Sequence, residues 1–277
     1  MEDIKTIIDS ELEDSKSQEP EQVLTPEEEV MLKDMMANHV FYGYSKSRTN
    51  PKMKPNIAMT KSGVEVIDAV KTMFFLNKAV DAIKQLVHGG DLVLLVGTST
   101  AAKSTVKEIA TRLQMPYVDE RWLGGTLTNF KTISDRINYF KKLEQEKALG
   151  KLAQKYTKKE QLGIDVELEK FDKFFRGIEN LNKLPKLVVI ADTKYNEIAA
   201  KEAKKMKIKT MGIINTNSDP DIVDYPIPAN DRNSKSIAFI MSYLEKFIAE
   251  AKNNFPKDKV KEGDKLEGKE LNKQLKS

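Results

Sequence analysis

The chain has 277 residues, no cysteine, two histidines (His39 and His88) and 46 basic against 42 acidic side chains, a net charge of +4. That length supports a core without staples, and the counts exclude disulfides, thiolate chemistry and zinc sites of the usual cysteine and histidine kinds. No apolar run approaches the roughly 20 residues of a membrane span, and the N-terminus has neither a signal-type apolar region nor a transit-peptide composition, so a cytoplasmic protein is expected.

The first 24 residues carry eight acids and two lysines, a balance of −6 that leaves +10 for residues 25–277. An acidic, apolar-poor head of that kind is expected to be disordered. Order should begin at "TPEEEVMLKDMMAN", where Thr25 and Glu28 form a capping box around Pro26. "GVEVI" (63–67) reads as a strand, followed by a helix from about Ala69 to His88 that stops at Gly89 and Gly90. A buried strand (92–96), a helix (about 101–113) and a short strand (115–118) come next. Such alternation predicts an α/β fold, a parallel sheet covered by helices, with a core domain over 25–128 and 185–251.

The rhythm breaks at 129–184, where about fifty residues rich in Lys, Glu, Leu and Phe predict an inserted antiparallel helical hairpin. The sheet resumes at "KLVVIAD" (186–192), with a helix from about Asn196 to Met206, a strand at 208–214 and a last helix from about Ser234 to Ala251. Residues 252–277 hold eight lysines and five acids and read as a charged, solvated tail.

Gly97 to Ser104 reads G-x-x-x-x-A-K-S, one residue away from a phosphate-binding loop, with Ala102 where the second glycine belongs. An NTPase built this way would use Lys103 and Ser104 on phosphate and Asp192, at the end of a buried strand, on magnesium. The alternative is a plain strand-turn-helix, with Asp192 capping the helix that follows. "NTNSDPDIVDYP" places Asp219, Asp221 and Asp224 close enough for a hard cation, and turn chemistry explains them equally. His88 reads as a helix-end residue, and His39, beside aromatics, as a packed one.

One segment stands apart. Met35 to Val64 contains no acid and five basic residues, Lys46, Arg48, Lys52, Lys54 and Lys61, preceded by Phe41, Tyr42 and Tyr44 and stiffened by Pro51 and Pro55. A rigid, extended loop of one sign next to aromatic rings suits a phosphate backbone. The stretch 141–159, with seven lysines against two glutamates, is a second basic patch.

At "NPKMKP" (50–55), and above all at "MPYVDERWLGGTLTNFKTI" (115–133), the sequence closely resembles the bacterial small-subunit ribosomal protein S2 family. "GVEVID" (63–68), 183–208 and 215–237 fall in the matching order, so the resemblance covers about residues 29 to 250. It implies a Rossmann-like, flavodoxin-like sheet that binds no nucleotide, and a structural constituent of the small ribosomal subunit with no catalysis, cofactor, metal or small-molecule substrate. The implied partners are small-subunit rRNA and neighbouring ribosomal proteins, the large mRNA-binding one among the candidates. Candidate rRNA-binding residues are Lys46, Arg48, Asn50, Lys52 and Lys54 in the basic loop, and Arg121, Trp122, Asn129 and Lys131 in the motif carrying the resemblance. The chain departs from the family pattern at Phe41 and Tyr44, which stand at two histidine places, at Thr49, where tryptophan is common, and in its acidic head.

Overall fold

The computed structural model describes residues 25–253 apart from Gly89; the acidic head and nearly all of the charged tail lie outside the described residues. The chain divides into two units, 1–34 and 35–277. Helix α1 (Pro26–Ala37) starts in the first. Its start is the capping box read from the sequence: Thr25 N–H donates to Glu28 Oε2 at 2.8 Å and Glu28 N–H returns to Thr25 Oγ1 at 3.4 Å.

The second unit holds two sheets. Strands β1 (Tyr42–Ser45), β2 (Ile57–Lys61) and β3 (Val64–Ile67) form an antiparallel sheet in the order β1-β3-β2. The β2–β3 turn is the pair Ser62 and Gly63, both with positive φ (49° and 78°), the backbone hand that joins right-twisted strands tightly. The alternation of the sequence groups 63–67 with the parallel strands; it is instead the centre of this separate sheet. The segment between β1 and β2 is also not simply extended, because it folds into two 3₁₀ turns, Lys46–Arg48 and Pro51–Asn56.

After α2 (Ala69–Leu86), strands β4 (Val93–Val96), β5 (Tyr117–Val118), β6 (Leu187–Ile190), β7 (Lys209–Ile214) and β8 (Tyr225–Pro228) make a wholly parallel sheet in the order β5-β4-β6-β7-β8. Every residue of β4 and β6 is buried, as strands covered on both faces must be. Strand β8 lies in a stretch whose residues read as turn chemistry. Its Pro226 and Pro228 lack an N–H to donate, which confines the strand to an edge, and it pairs only with β7.

Helices α2, α3 (Lys103–Leu113) and α8 (Ser234–Asn253) pack together, while α7 (Glu197–Lys205) contributes Ala199, Ala200 and Ala203 to a core shared with Leu94, Val96, Val188 and Ile190. The inserted segment folds as α4 (Phe130–Ala148), a short α5 (Lys151–Lys155) and α6 (Lys158–Phe175). Helices α4 and α6 run antiparallel, zipped by Phe140 stacked on Phe171 at 5.1 Å and by Arg176 on Glu144 at 2.7 Å. Among the described residues, no helix is long and apolar enough to cross a membrane.

Candidate nucleic-acid interface

The strand-turn-helix at 92–113 has its key backbone donors and its lysine committed to the protein itself. Gly97 N–H donates to Val118 O, and both Ala102 and Lys103 N–H donate to Ser99 O. Ser99 N–H, which in a phosphate loop would point at the ligand, donates to Asp192 Oδ2. Lys103 Nζ lies 2.6 Å from Glu120 Oε1. Gly97 is required by packing, since a Cβ there would stand 2.6 Å from Val106 Cγ2. Asp192 is fully buried and accepts from Asn196 Nδ2 as well; Asn196 is the N-cap position of α7. Burial pushes the Asp192 carboxyl up to about 6. A buried acid whose oxygens already accept from Ser99 N–H and Asn196 Nδ2 is a poor magnesium ligand, so the arrangement closes the sheet end.

The acidic turn is equally occupied. Asp219 caps the 3₁₀ turn Pro220–Ile222 by accepting from Asp221 N–H. Asp224 accepts from Lys209 Nζ at 2.8 Å and from the N–H and hydroxyl of Thr210. Burial raises the Asp224 carboxyl, but those hydrogen bonds outweigh it and hold the group below its ordinary range.

The basic loop divides into two kinds of residue. Lys46, Arg48 and Lys54 are exposed and make no ion pair among the described residues, and the same is true of Lys61 on β2. Lys52 is different: its Nζ lies 2.9 Å from Asp219 and 2.7 Å from Asp221, tying the loop to the turn after β7. Asn50 is also structural, its N–H donating to Thr216 O and its side chain capping the second 3₁₀ turn through Lys52 N–H. Glu65, on the central strand β3, accepts from Thr49 and Thr60 and fastens both arms of the loop. In the sequence the five cations look equivalent; in the fold, four of them have no ion pair among the described residues.

The second candidate group sits on the segment after β5. Arg121 and Lys131 are exposed and make no ion pair among the described residues. Asn129 is exposed and accepts from Thr132 Oγ1. Trp122 is only 7% exposed and its Nε1 donates to Glu202 Oε1, so its ring packs in the core. Glu202 is a functional candidate that the sequence reading does not single out. The available signal is its position on α7 between Ala200 and Ala203, on the face that the alanines mark as buried.

Compared with known proteins, residues 35–251 match the family model of ribosomal protein S2. The chain belongs to the ribosomal protein S2 family. It is 41% identical over 221 residues to the small ribosomal subunit protein uS2 of Kocuria rhizophila, covering 80% of this chain and 78% of that one. The uS2 protein of Acidothermus cellulolyticus is 40% identical over 80% of each chain, and that of Coprothermobacter proteolyticus is 41% identical over 80% of this chain and 83% of its own.

The three positions at which the resemblance leads us to expect other residues have defined places in this member of the ribosomal protein S2 family. Tyr44 is buried, its N–H donates to Thr216 Oγ1 at 2.8 Å, and Arg232 lies over its ring at 5.1 Å. Phe41 is half-buried and its carbonyl accepts from Ile67 N–H. Thr49 donates to Glu65. His39, expected to be packed, is exposed: its φ of 58° turns the chain so that the carbonyl accepts from Asn230 and the ring leans on Tyr42 at 5.8 Å. His88 is exposed at the end of α2, its N–H donating to Asp91.

Of the second basic patch, three lysines are neutralised locally: Lys141 by Glu179, Lys147 by Asp165 and Lys155 by Glu146. The hairpin therefore presents less net field than its sequence suggests.

Proposed function

We propose that the protein is a non-catalytic, structural constituent of the small ribosomal subunit in the cytoplasm, binding small-subunit rRNA through Lys46, Arg48 and Lys54 together with Arg121 and Lys131. Neighbouring small-subunit ribosomal proteins, including the large mRNA-binding one, are its protein partners. Membership in the ribosomal protein S2 family carries the assignment to the ribosome. The observation that supports the surface is the clustering of Lys46, Arg48 and Lys54, exposed and without an ion pair among the described residues, in a stretch from Met35 to Val64 that holds no acid. Unpaired cations are free to neutralise phosphates and so release the counterions condensed on the RNA, and that release is what makes RNA binding favourable and salt-dependent.

The test is filter binding to small-subunit rRNA across salt. Replacing Lys46, Arg48 and Lys54 by alanine together should weaken binding and lower the slope of log K against log salt by about 0.7 to 0.9 for each phosphate no longer neutralised. A triple variant with the wild-type slope removes this surface from the interface.

A further inference from the structure

Glu202, on α7, is 8% exposed and lies beneath the segment that carries Arg121 and Lys131. Its carboxylate receives five hydrogen bonds from that segment alone. Oε1 accepts from Trp122 Nε1 at 3.2 Å and from Gly125 N–H at 2.7 Å. Oε2 accepts from Leu127 N–H at 3.1 Å, Thr128 N–H at 3.2 Å and Thr128 Oγ1 at 3.1 Å. The three backbone donors belong to a turn that passes through the left-handed region at Gly125, where φ is 92°. Such a turn is not a regular element and has no ladder to hold it. Beyond its own bonds from Thr126 to Leu123 O and from Asn129 N–H to Gly125 O, one acid from a neighbouring helix ties it down, because a carboxylate can accept at both oxygens from donors converging out of a loop.

We infer that Glu202 is a positioning residue for RNA binding, fixing residues 122–128 so that Arg121 on one side and Lys131 on the other stand as a preset pair for two phosphates. Neither cation is held by an ion pair among the described residues, so the direction of each is set by the backbone that carries it. The geometry also explains how a negative charge is tolerated under a polyanion site. All of its acceptor directions are spent on the loop, and the five donors offset the charge where it lies. The inference rests on the reading of the chain as an rRNA-binding protein and adds Glu202 to it.

The full-length protein tests it by filter binding to small-subunit rRNA, with circular dichroism confirming a folded state at the working temperature. Four forms are compared: Glu202→Gln, the double variant Arg121→Ala with Lys131→Ala, the triple combination and wild type. Gln keeps one acceptor oxygen but turns an amide donor toward N–H groups, which opens the loop. The double variant should lower the salt slope by about 1.4 to 1.8, two cations at 0.7 to 0.9 each. Glu202→Gln should lower it by a comparable amount, and the triple combination should bind no more weakly than the double, because the cations have nothing left to contribute once the loop is loose. Full additivity of the two losses, or an unchanged slope in folded Glu202→Gln, overturns the inference. Should Glu202→Gln not fold, Thr128→Ala removes one hydroxyl donor and must shift the slope in the same direction by less; no shift overturns it equally. The two readings fail differently. If replacing Lys46, Arg48 and Lys54 lowers the slope and replacing Arg121 and Lys131 does not, only the Glu202 inference fails; if neither does, the rRNA reading fails with it.

Discussion

Lys52 Nζ bridges Asp219 and Asp221, two carboxylates more than 160 positions away in the chain, at 2.9 and 2.7 Å. The pairing raises the lysine, chiefly through the hydrogen bond to Asp221, and lowers Asp219 through the same ammonium. An exposed pair of this kind contributes little to stability, but it decides which cations remain for RNA. Replacing Asp219 and Asp221 by asparagine should therefore tighten rRNA binding, by freeing Lys52 and removing two negative charges beside the loop. Lys54→Ala should lower the salt slope more than Lys52→Ala. Equal slopes for the two lysine variants would show that RNA displaces the aspartates at no cost.

Lys103 sits against Glu120, with Lys173 4.0 Å from the other carboxylate oxygen. The ammonium lowers Glu120 through their hydrogen bond. A lysine so engaged, beside a turn in which the N–H groups of Gly97, Ser99, Ala102 and Lys103 are all bonded within the protein, is not set to hold phosphate. Calorimetric titration with Mg-ATP should give no saturable heat, and Lys103→Ala should leave the rRNA salt slope at its wild-type value. Micromolar ATP binding lost on Lys103→Ala would refute this.

The parallel sheet is legible in the sequence because its strands are short continuous apolar runs between helical segments; "LVVI" at 187–190, short and rich in β-branched residues, reads as a buried strand, and it is one. Strand β8 is not, because two prolines and three nearby aspartates look like a loop until the edge position is known. The antiparallel sheet is half legible. Strand β3 has the composition of a strand, while β1 ("YGYS") and β2 ("IAMTK") depend on pairing with it. The basic surface is visible as a run of one sign, but the distinction between Lys52 and Lys54 rests on Asp219 and Asp221, and sequence distance hides that. Glu202 and Trp122 show the same limit from the other side. A tryptophan in a distinctive string looks like an RNA-facing residue until its N–H is seen to end on a buried acid.

Acids of opposite behaviour give a pH prediction with a definite sign. Asp192 is pushed up to about 6 by burial, and Asp231, also buried, is raised for the same reason. A carboxyl raised on folding binds its proton more tightly in the native state, so its contribution to stability falls as pH rises from the unfolded value near 4 through 6. For Asp192 the span corresponds to about 3 kcal/mol. Glu202 and Asp224 run the other way. Burial raises each, but hydrogen bonds win and hold both below the usual range, so their contribution is present above the unfolded value near 4 and is lost on acidification below it. Asp192→Asn should accordingly make melting temperature climb more steeply with pH between 4 and 6 than in wild type. An unaltered or flatter profile would mean that Asp192 is charged across that range.

Gly97 opens the stretch that looks most like a nucleotide loop, and its requirement is steric. A Cβ would stand 2.6 Å from Val106 Cγ2, 3.0 Å from Ala102 Cβ and 3.2 Å from Ala191 Cβ. Val106, Ala102 and Ala191 are all fully buried, so none can swing aside into solvent. Overpacking of that kind costs about 1 to 3 kcal/mol, and for a chain of this size each kcal/mol lowers the melting temperature by about 2 to 4 °C. Gly124 is the control, since nothing lies within 4 Å of its added Cβ, and Gly124→Ala should change stability by no more than about 0.5 kcal/mol. Both can be followed through Trp122, the one tryptophan in the sequence, whose buried ring will shift its emission to longer wavelength on unfolding. At a temperature where Gly97→Ala remains folded, its rRNA affinity should equal that of wild type, because strand β4 and helix α3 are packed at this glycine and no ligand is. A Gly97→Ala protein that melts with wild type would show that the turn can open to admit a methyl group, and with it the close approach that phosphate would need.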